Sequence, residues 1–191
     1  MTNANSNNYQ KKILTIPNIL SFFRLCLIPL IVWLYIEKQN YLLTLLILIL
    51  SALTDIVDGI IARKCNMTSD FGKIFDPVAD KLTQAAMLYC LVSRFNYMMI
   101  PLVFLCIKEI STAITSLISF KRAKEVKGAA WHGKLTTVVL YSMMAIHLIW
   151  FDIPPVISLI LVGITVGIMI MSFIMYSVQN IKAIKTKSFE N

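Results

Sequence analysis

Asp55-Ile-Val-Asp58-Gly59-Ile-Ile-Ala62-Arg63, then eight residues, then Gly72-Lys-Ile-Phe-Asp76-Pro-Val-Ala-Asp80: this run sets four aspartates inside or against two hydrophobic segments. An acidic side chain near hydrocarbon is costly unless it is paired or binds a cation, so membrane-depth carboxylates point to function. In a helix, Asp58, Gly59, Ala62 and Arg63 follow Asp55 at three, four, seven and eight residues, and all five share one face. Gly72, Asp76 and Asp80 recur at intervals of four and form a stripe on a second helix. The two acidic stripes are able to face each other.

Ligation by carboxylate oxygen alone suits a hard divalent cation, Mg²⁺ or Mn²⁺, whereas zinc would call on Cys or His, and neither accompanies these aspartates. Four carboxylates exceed what one Mg²⁺ takes, so a pair of metal ions is expected, as in phosphoryl-transfer sites. Gly59, Ala62 and Gly72 leave room for a ligand against the backbone. Arg63 adds a fixed positive charge suited to phosphate.

Outward from this run the chain is apolar. Of its 191 residues, 58% are hydrophobic and its mean hydropathy is +0.74, well above the globular range. At about 20 apolar residues per span, six segments qualify, at 17–36, 41–62, 74–93, 98–120, 134–151 and 153–178. The expected fold is all-α, a polytopic membrane protein of six transmembrane helices with a cytosol-facing polar active site. Residues 1–16 form an N-terminal arm, with 9–16 as a possible interfacial helix. Residues 17–180 form one membrane domain, and 181–191 a basic tail.

Lysine and arginine set the orientation. Lys11, Lys12, Arg63, Lys64, Lys73, Lys121, Arg122, Lys124, Lys127, Lys134, Lys182, Lys185 and Lys187 fall on one side, against Lys38 and Arg94 on the other. Both termini and the acidic run are therefore expected on the cytoplasmic side of a cell membrane, the bacterial inner membrane. The net charge of +8 is spread over membrane-proximal loops, which argues for anionic lipid rather than nucleic acid. The first apolar segment begins with Pro17 and contains Arg24, which is unlike a cleaved signal peptide. Cys26, Cys65, Cys90 and Cys106 lack metal-ligand spacing and read as free thiols. His132 reads as an interface residue, and His147 and Met169, Met171 and Met175 as packing or lipid-facing side chains.

The spacing D-x2-D-G-x2-A-R-x8-G-x3-D-x3-D resembles that of the CDP-alcohol phosphotransferases and is met at every fixed position. Ile16-Pro17-Asn18-Ile19-Leu20-Ser21-Phe22-Phe23-Arg24 and Asp76-Pro77-Val78-Ala79-Asp80-Lys81 are similar to segments of the bacterial phosphatidylglycerophosphate synthase branch. The resemblance implies phosphatidyl transfer from CDP-diacylglycerol, with release of CMP, by a homodimer embedded among membrane lipids. It implies Asp55, Asp58, Asp76 and Asp80 as metal ligands, with Asp80 also taking the acceptor's proton. Gly59, Ala62, Arg63 and Gly72 would receive the cytidine diphosphate.

For the acceptor, the branch implies glycerol 3-phosphate. A dianion needs a cationic pocket, for which Arg24, Lys81, Lys108, Arg122 and Lys134 are eligible by sign, and Glu109 is a possible internal partner of Lys108. Lys108-Glu109-Ile110 stands where that branch has Arg-Glu-Ile, and Gly133-Lys134-Leu135-Thr136-Thr137 where it has Gly-Lys-x-Lys-Thr. With fewer cations, a cardiolipin synthase using phosphatidylglycerol is the alternative within the class. A divalent-cation transporter is the alternative outside it, disfavoured because the carboxylates crowd one side of the bilayer.

Overall fold

The computed structural model describes residues 16–64, 70–123 and 131–186. Among them lie six α-helices and one short 3-10 turn: α1 (Ile16–Ile36), α2 (Tyr41–Lys64), α3 (Asp70–Val92), the turn Asn96–Met98, α4 (Met99–Ala123), α5 (Trp131–Ile149) and α6 (Pro155–Thr186). The all-helical architecture expected from hydropathy is present. The possible interfacial helix at 9–16 falls, but for Ile16, outside the described residues, as do Cys65, Lys124 and Lys127.

Among the described residues, three segments are long and apolar enough to cross a membrane: 19–36 in α1, 96–114 through the turn into α4, and 155–179 in α6. A shorter apolar run, 41–57, lies in α2. Aspartates and lysines interrupt the apolar character of α3, and His132, Lys134 and His147 that of α5. The surface is apolar as well as the core, unlike that of a water-soluble protein. Leu46, Ile49, Leu53, Ile56 and Ile60 form an exposed apolar stripe on α2, whereas Ser21, Arg24, Thr44, Ser51, Thr83 and Gln84 are buried. An aliphatic surface, with some of the polar side chains turned inward, suits a chain whose surroundings are hydrocarbon.

The chain divides into two compact units, Met1–Cys90 and Leu91–Asn191. In the first, α1 packs along α2 after a tight turn in which Gln39 adopts φ 48°. Asn40 caps α2: its side-chain oxygen accepts the Leu43 amide at 3.0 Å, which satisfies one of the orphan donors at a helix start. In the second unit, α6 packs against both α4 and α5. Pro155 opens α6 at a position where its missing N–H costs nothing. The α6 helix continues to Thr186, so residues 181–186, expected as the start of the tail, are helical.

Two buried polar networks hold the second unit together. At one, Tyr97 donates to Ser158 Oγ at 2.8 Å, and Ser158 lies 2.5 Å from His147 Nε2. His147 Nδ1 is 2.7 Å from the Met143 carbonyl, which only accepts, so Nδ1 carries the proton and Nε2 accepts from Ser158. The packing role expected of His147 is thus present. At the other, His132 is fully buried, between Ser172 Oγ at 3.2 Å and the Tyr176 ring at 4.4 Å. This corrects the expectation of an interface residue: the helix face carrying His132 points into the unit, where Ser172 meets its polarity. A Cβ added to Gly133 would run into the Tyr176 hydroxyl, so the Tyr176 ring rests where a larger residue at 133 would displace it. Burial, and secondly the charge of Lys108, hold the His132 imidazole below its ordinary pKa.

Candidate active site of carboxylates in the first unit

Asp55 lies near the end of α2, and Asp76 and Asp80 one turn apart on α3. The negative charges of Asp76 and Asp80 both act on Asp55, so the two acidic stripes are brought near each other. Each aspartate also has a polar or charged side-chain partner. Arg24 Nη1 lies 2.7 Å from Asp55 Oδ1; Arg24 is fully buried and the Asp55 side chain is 43% exposed. Ser21 donates its hydroxyl to Asp76 Oδ1. Gln84 donates to Asp80 Oδ2 at 2.8 Å. Lys81 stands 3.7 Å from the same Asp80 oxygen and 3.4 Å from the Gln84 carbonyl oxygen, linking the three side chains.

Helical spacing accounts for this arrangement. Ser21 and Arg24 are three residues apart on α1, and Asp76, Asp80 and Gln84 follow one another at intervals of four on α3, so each set occupies one face. Ser51, fully buried, precedes Asp55 by four, and Gly59 follows it by four. The small residue Gly59 therefore continues the acidic stripe of α2, as the spacing predicts. Pro77, next to Asp76, lies inside α3 and has no amide to give the carbonyl one turn back.

The remaining predicted positions divide into two groups. The side chains of Asp58, Ala62, Arg63 and Arg122, and the glycine at Gly72, lie outside the described side chains. Among the described residues no group of three or more Asp, Glu, His or Cys is close enough to hold one ion. In the second unit, Lys108 is 4% exposed and pairs with Glu109 at 2.9 Å, while Lys134 is exposed on α5. Arg24, eligible by sign for the acceptor's phosphate, is committed to Asp55. Cys26, Cys90 and Cys106 are free thiols, as expected.

Ser21 and Gln84 were not among the expected site residues, although a signal existed for one. Gly72, Asp76, Asp80 and Gln84 form one continuous series of fours, so Gln84 was legible as the next member of the stripe. Ser21 had no such mark, because its partner is on another helix.

Comparison with known proteins identifies the class. The sequence profile of the CDP-alcohol phosphatidyltransferases matches residues 14–178. The chain belongs to the CDP-alcohol phosphatidyltransferase family. It is 33% identical over 139 residues to the CDP-diacylglycerol–glycerol-3-phosphate 3-phosphatidyltransferase of Aquifex aeolicus, covering 71% of this chain and 77% of that protein. It is 36% identical over 96 residues to the protein of the same name from Rickettsia typhi, covering 49% and 54%. The chain thus spans about half the length of this second relative. A cardiolipin synthase (CMP-forming) from Streptomyces coelicolor is 43% identical over 76 residues, covering 37% of this chain and 35% of that protein. The family makes this chain an enzyme, a transferase of phospholipid biosynthesis.

The donor set fits the divalent cation expected of the site. It consists of carboxylate oxygens from two helices, and the described cations beside them, Arg24 and Lys81, leave an excess of negative charge. Ser21 reaches Oδ1 of Asp76 and Arg24 reaches Oδ1 of Asp55.

Proposed function

We propose that this enzyme transfers the phosphatidyl group of CDP-diacylglycerol to glycerol 3-phosphate, giving phosphatidylglycerophosphate and CMP. The observation that carries the reading is the gathering of Asp55, Asp76 and Asp80 in one unit, within a motif met at every position. The relatives' names supply the acceptor. Asp55, Asp58, Asp76 and Asp80 would hold two Mg²⁺ or Mn²⁺ ions. When bound, these ions neutralise charge developing on the transferred phosphate.

The chain's own residues do the rest. Gly59, Ala62 and Gly72 keep the helix faces low so that the cytidine diphosphate approaches the backbone, and Arg63 offers a planar cation to phosphate. Asp80 takes the proton of the acceptor hydroxyl, which requires an approach of about 2.6–3.2 Å. The Gln84 amide on Asp80 Oδ2 restricts the orientation of that carboxylate. The acyl chains stay in the bilayer beside six membrane-spanning helices of a single domain, 17–180, with both termini and the site facing the cytoplasm of a bacterial plasma membrane. The working form is a homodimer. Lys81, Lys108, Arg122 and Lys134 supply the positive charge for the acceptor.

A second acceptor, phosphatidylglycerol, is favoured by one observation. Lys108, 4% exposed, already has a carboxylate partner in Glu109, which reduces the charge left for a dianion. Both readings meet in one experiment. Purified enzyme is incubated with CDP-diacylglycerol, Mg²⁺ or Mn²⁺, and either glycerol 3-phosphate or phosphatidylglycerol, and the lipid product is identified by mass spectrometry. Phosphatidylglycerophosphate is the expected product; cardiolipin from phosphatidylglycerol, with glycerol 3-phosphate ignored, would replace the first reading by the second.

A further inference from the structure

Ser21 and Arg24 occupy one face of α1, and both are fully buried. Neither belongs to the acidic motif. The hydroxyl of Ser21 reaches Asp76 on α3, and the guanidinium of Arg24 reaches Asp55 on α2. One face of one helix thus holds carboxylates from two others.

These contacts differ from the usual fate of a hydroxyl in a helix. Thr83, Thr136 and Thr165 donate to the carbonyl four residues back on their own helices, Ala79, His132 and Leu161, which satisfies the hydroxyl locally. Ser21 donates across helices to a charged acceptor, which is a stronger bond. A carboxylate on a helix turns about two side-chain torsions; a fixed donor on one oxygen restricts both and aims the other oxygen. Arg24 holds Asp55 by charge and offsets repulsion between Asp55 and its acidic neighbours. Without such an offset, carboxylates crowded together drive one another apart or take up protons.

We propose that Ser21 and Arg24 are positioning residues of the acidic centre, fixing Asp76 and Asp55 so that their second oxygens converge on a divalent cation. The inference rests on the cation-binding reading of these aspartates and extends it to α1, which the motif does not touch. Neither residue contacts the reacting atoms. Their effect is transmitted through the orientation of the carboxylates they hold, as donors behind metal ligands generally act.

The test is Mn²⁺ binding by the full chain in detergent, with free Mn²⁺ read by electron paramagnetic resonance and folding checked by thermal unfolding. Ser21→Ala should weaken Mn²⁺ binding about 10- to 100-fold, the range for loss of a donor behind a ligand. Arg24→Lys, which keeps the charge but loses the planar fork, should weaken it by less. A matched pair separates orientation from packing: Ser21→Thr keeps the hydroxyl and Ser21→Val has nearly the same shape without it. Tight binding by the Thr variant and weak binding by the Val variant is expected. Equal affinity in that pair, or an unchanged affinity in Ser21→Ala, overturns the proposal. Asp76→Asn serves as the control: if it weakens binding while the Ser21 variants do not, only the positioning role falls; if it too binds normally, the cation reading falls as well.

Discussion

The two units of this protein bury polar groups in opposite ways. In the second, the networks around His132 and His147 join imidazoles, hydroxyls and a backbone carbonyl. In the first, carboxylates from two helices gather at partly exposed positions beside buried Ser21 and Arg24, which approach one oxygen of Asp76 and one of Asp55. A neutral, matched network stabilises packing; an incompletely neutralised acidic one is costly to keep unless a ligand completes it. The comparison assigns architecture to the second unit's networks and chemistry to the first unit's carboxylates.

The most severe way to break this contrast is at Asp80. Asp80→Asn is nearly isosteric, and its amide is no base at neutral pH, so turnover should fall by about 10²- to 10⁴-fold while the unfolding temperature holds. CMP release from CDP-diacylglycerol measures the first, and circular dichroism the second. Next in size is Asp55→Asn. The amide oxygen still accepts from Arg24, so the buried guanidinium keeps a partner, but the loss of a negative ligand should weaken Mn²⁺ binding by at least about tenfold. Titration calorimetry on the folded variant checks this, and partial recovery of activity at high Mn²⁺ is expected.

Lys108→Gln tests whether the second unit contributes to the acceptor. A charge-assisted contact to phosphate contributes about 1.5–3 kcal/mol, so its loss should lower kcat/KM for glycerol 3-phosphate about ten- to a hundredfold, with the donor's KM nearly constant. Unchanged kinetics would leave Lys108 as the structural partner of Glu109. The smallest effect on catalysis belongs to His147. His147→Leu strands the Ser158 hydroxyl and should cost about 1–3 kcal/mol of stability, read as a lower unfolding temperature. The kcat at a temperature where the variant is folded should stay at the wild-type level. A large loss of kcat there would erase the division of roles between the two networks.

The helices were legible because hydrocarbon leaves a chain few choices: apolar runs of this length satisfy their backbone internally. Their ends were less so. Hydropathy measures the thickness of an apolar layer and not the end of a hydrogen-bonded spiral, so α6 runs past position 178 through residues that still favour helix. Likewise α3 begins at Asp70 rather than 74, because polarity did not stop the helix. At the other end of α5, Pro154 disfavours helix at the preceding residue, and the helix stops at Ile149 rather than 151.

In the site, the aspartates were legible from their period alone, because side chains three and four apart must share a face. Partners on other helices carry no such period. Arg24 could be read as a cation inside an apolar segment, but its sign fits phosphate and carboxylate equally well, and only the contact with Asp55 decides between them. Ser21 is one of several small polar residues in apolar helices, and the sequence does not distinguish it from those that bond their own backbone.

The measurement that tests the central claim most directly is CMP release by purified enzyme supplied with CDP-diacylglycerol and glycerol 3-phosphate, before and after chelation of divalent ions, in the wild type and in Asp80→Asn. Release should require both Mg²⁺ or Mn²⁺ and the acceptor, cease on chelation, return when the ion is restored, and be nearly absent in the variant. Release that persists without divalent ions, or proceeds in Asp80→Asn at a rate near the wild type, would contradict the assignment of chemistry to the carboxylates of the first unit.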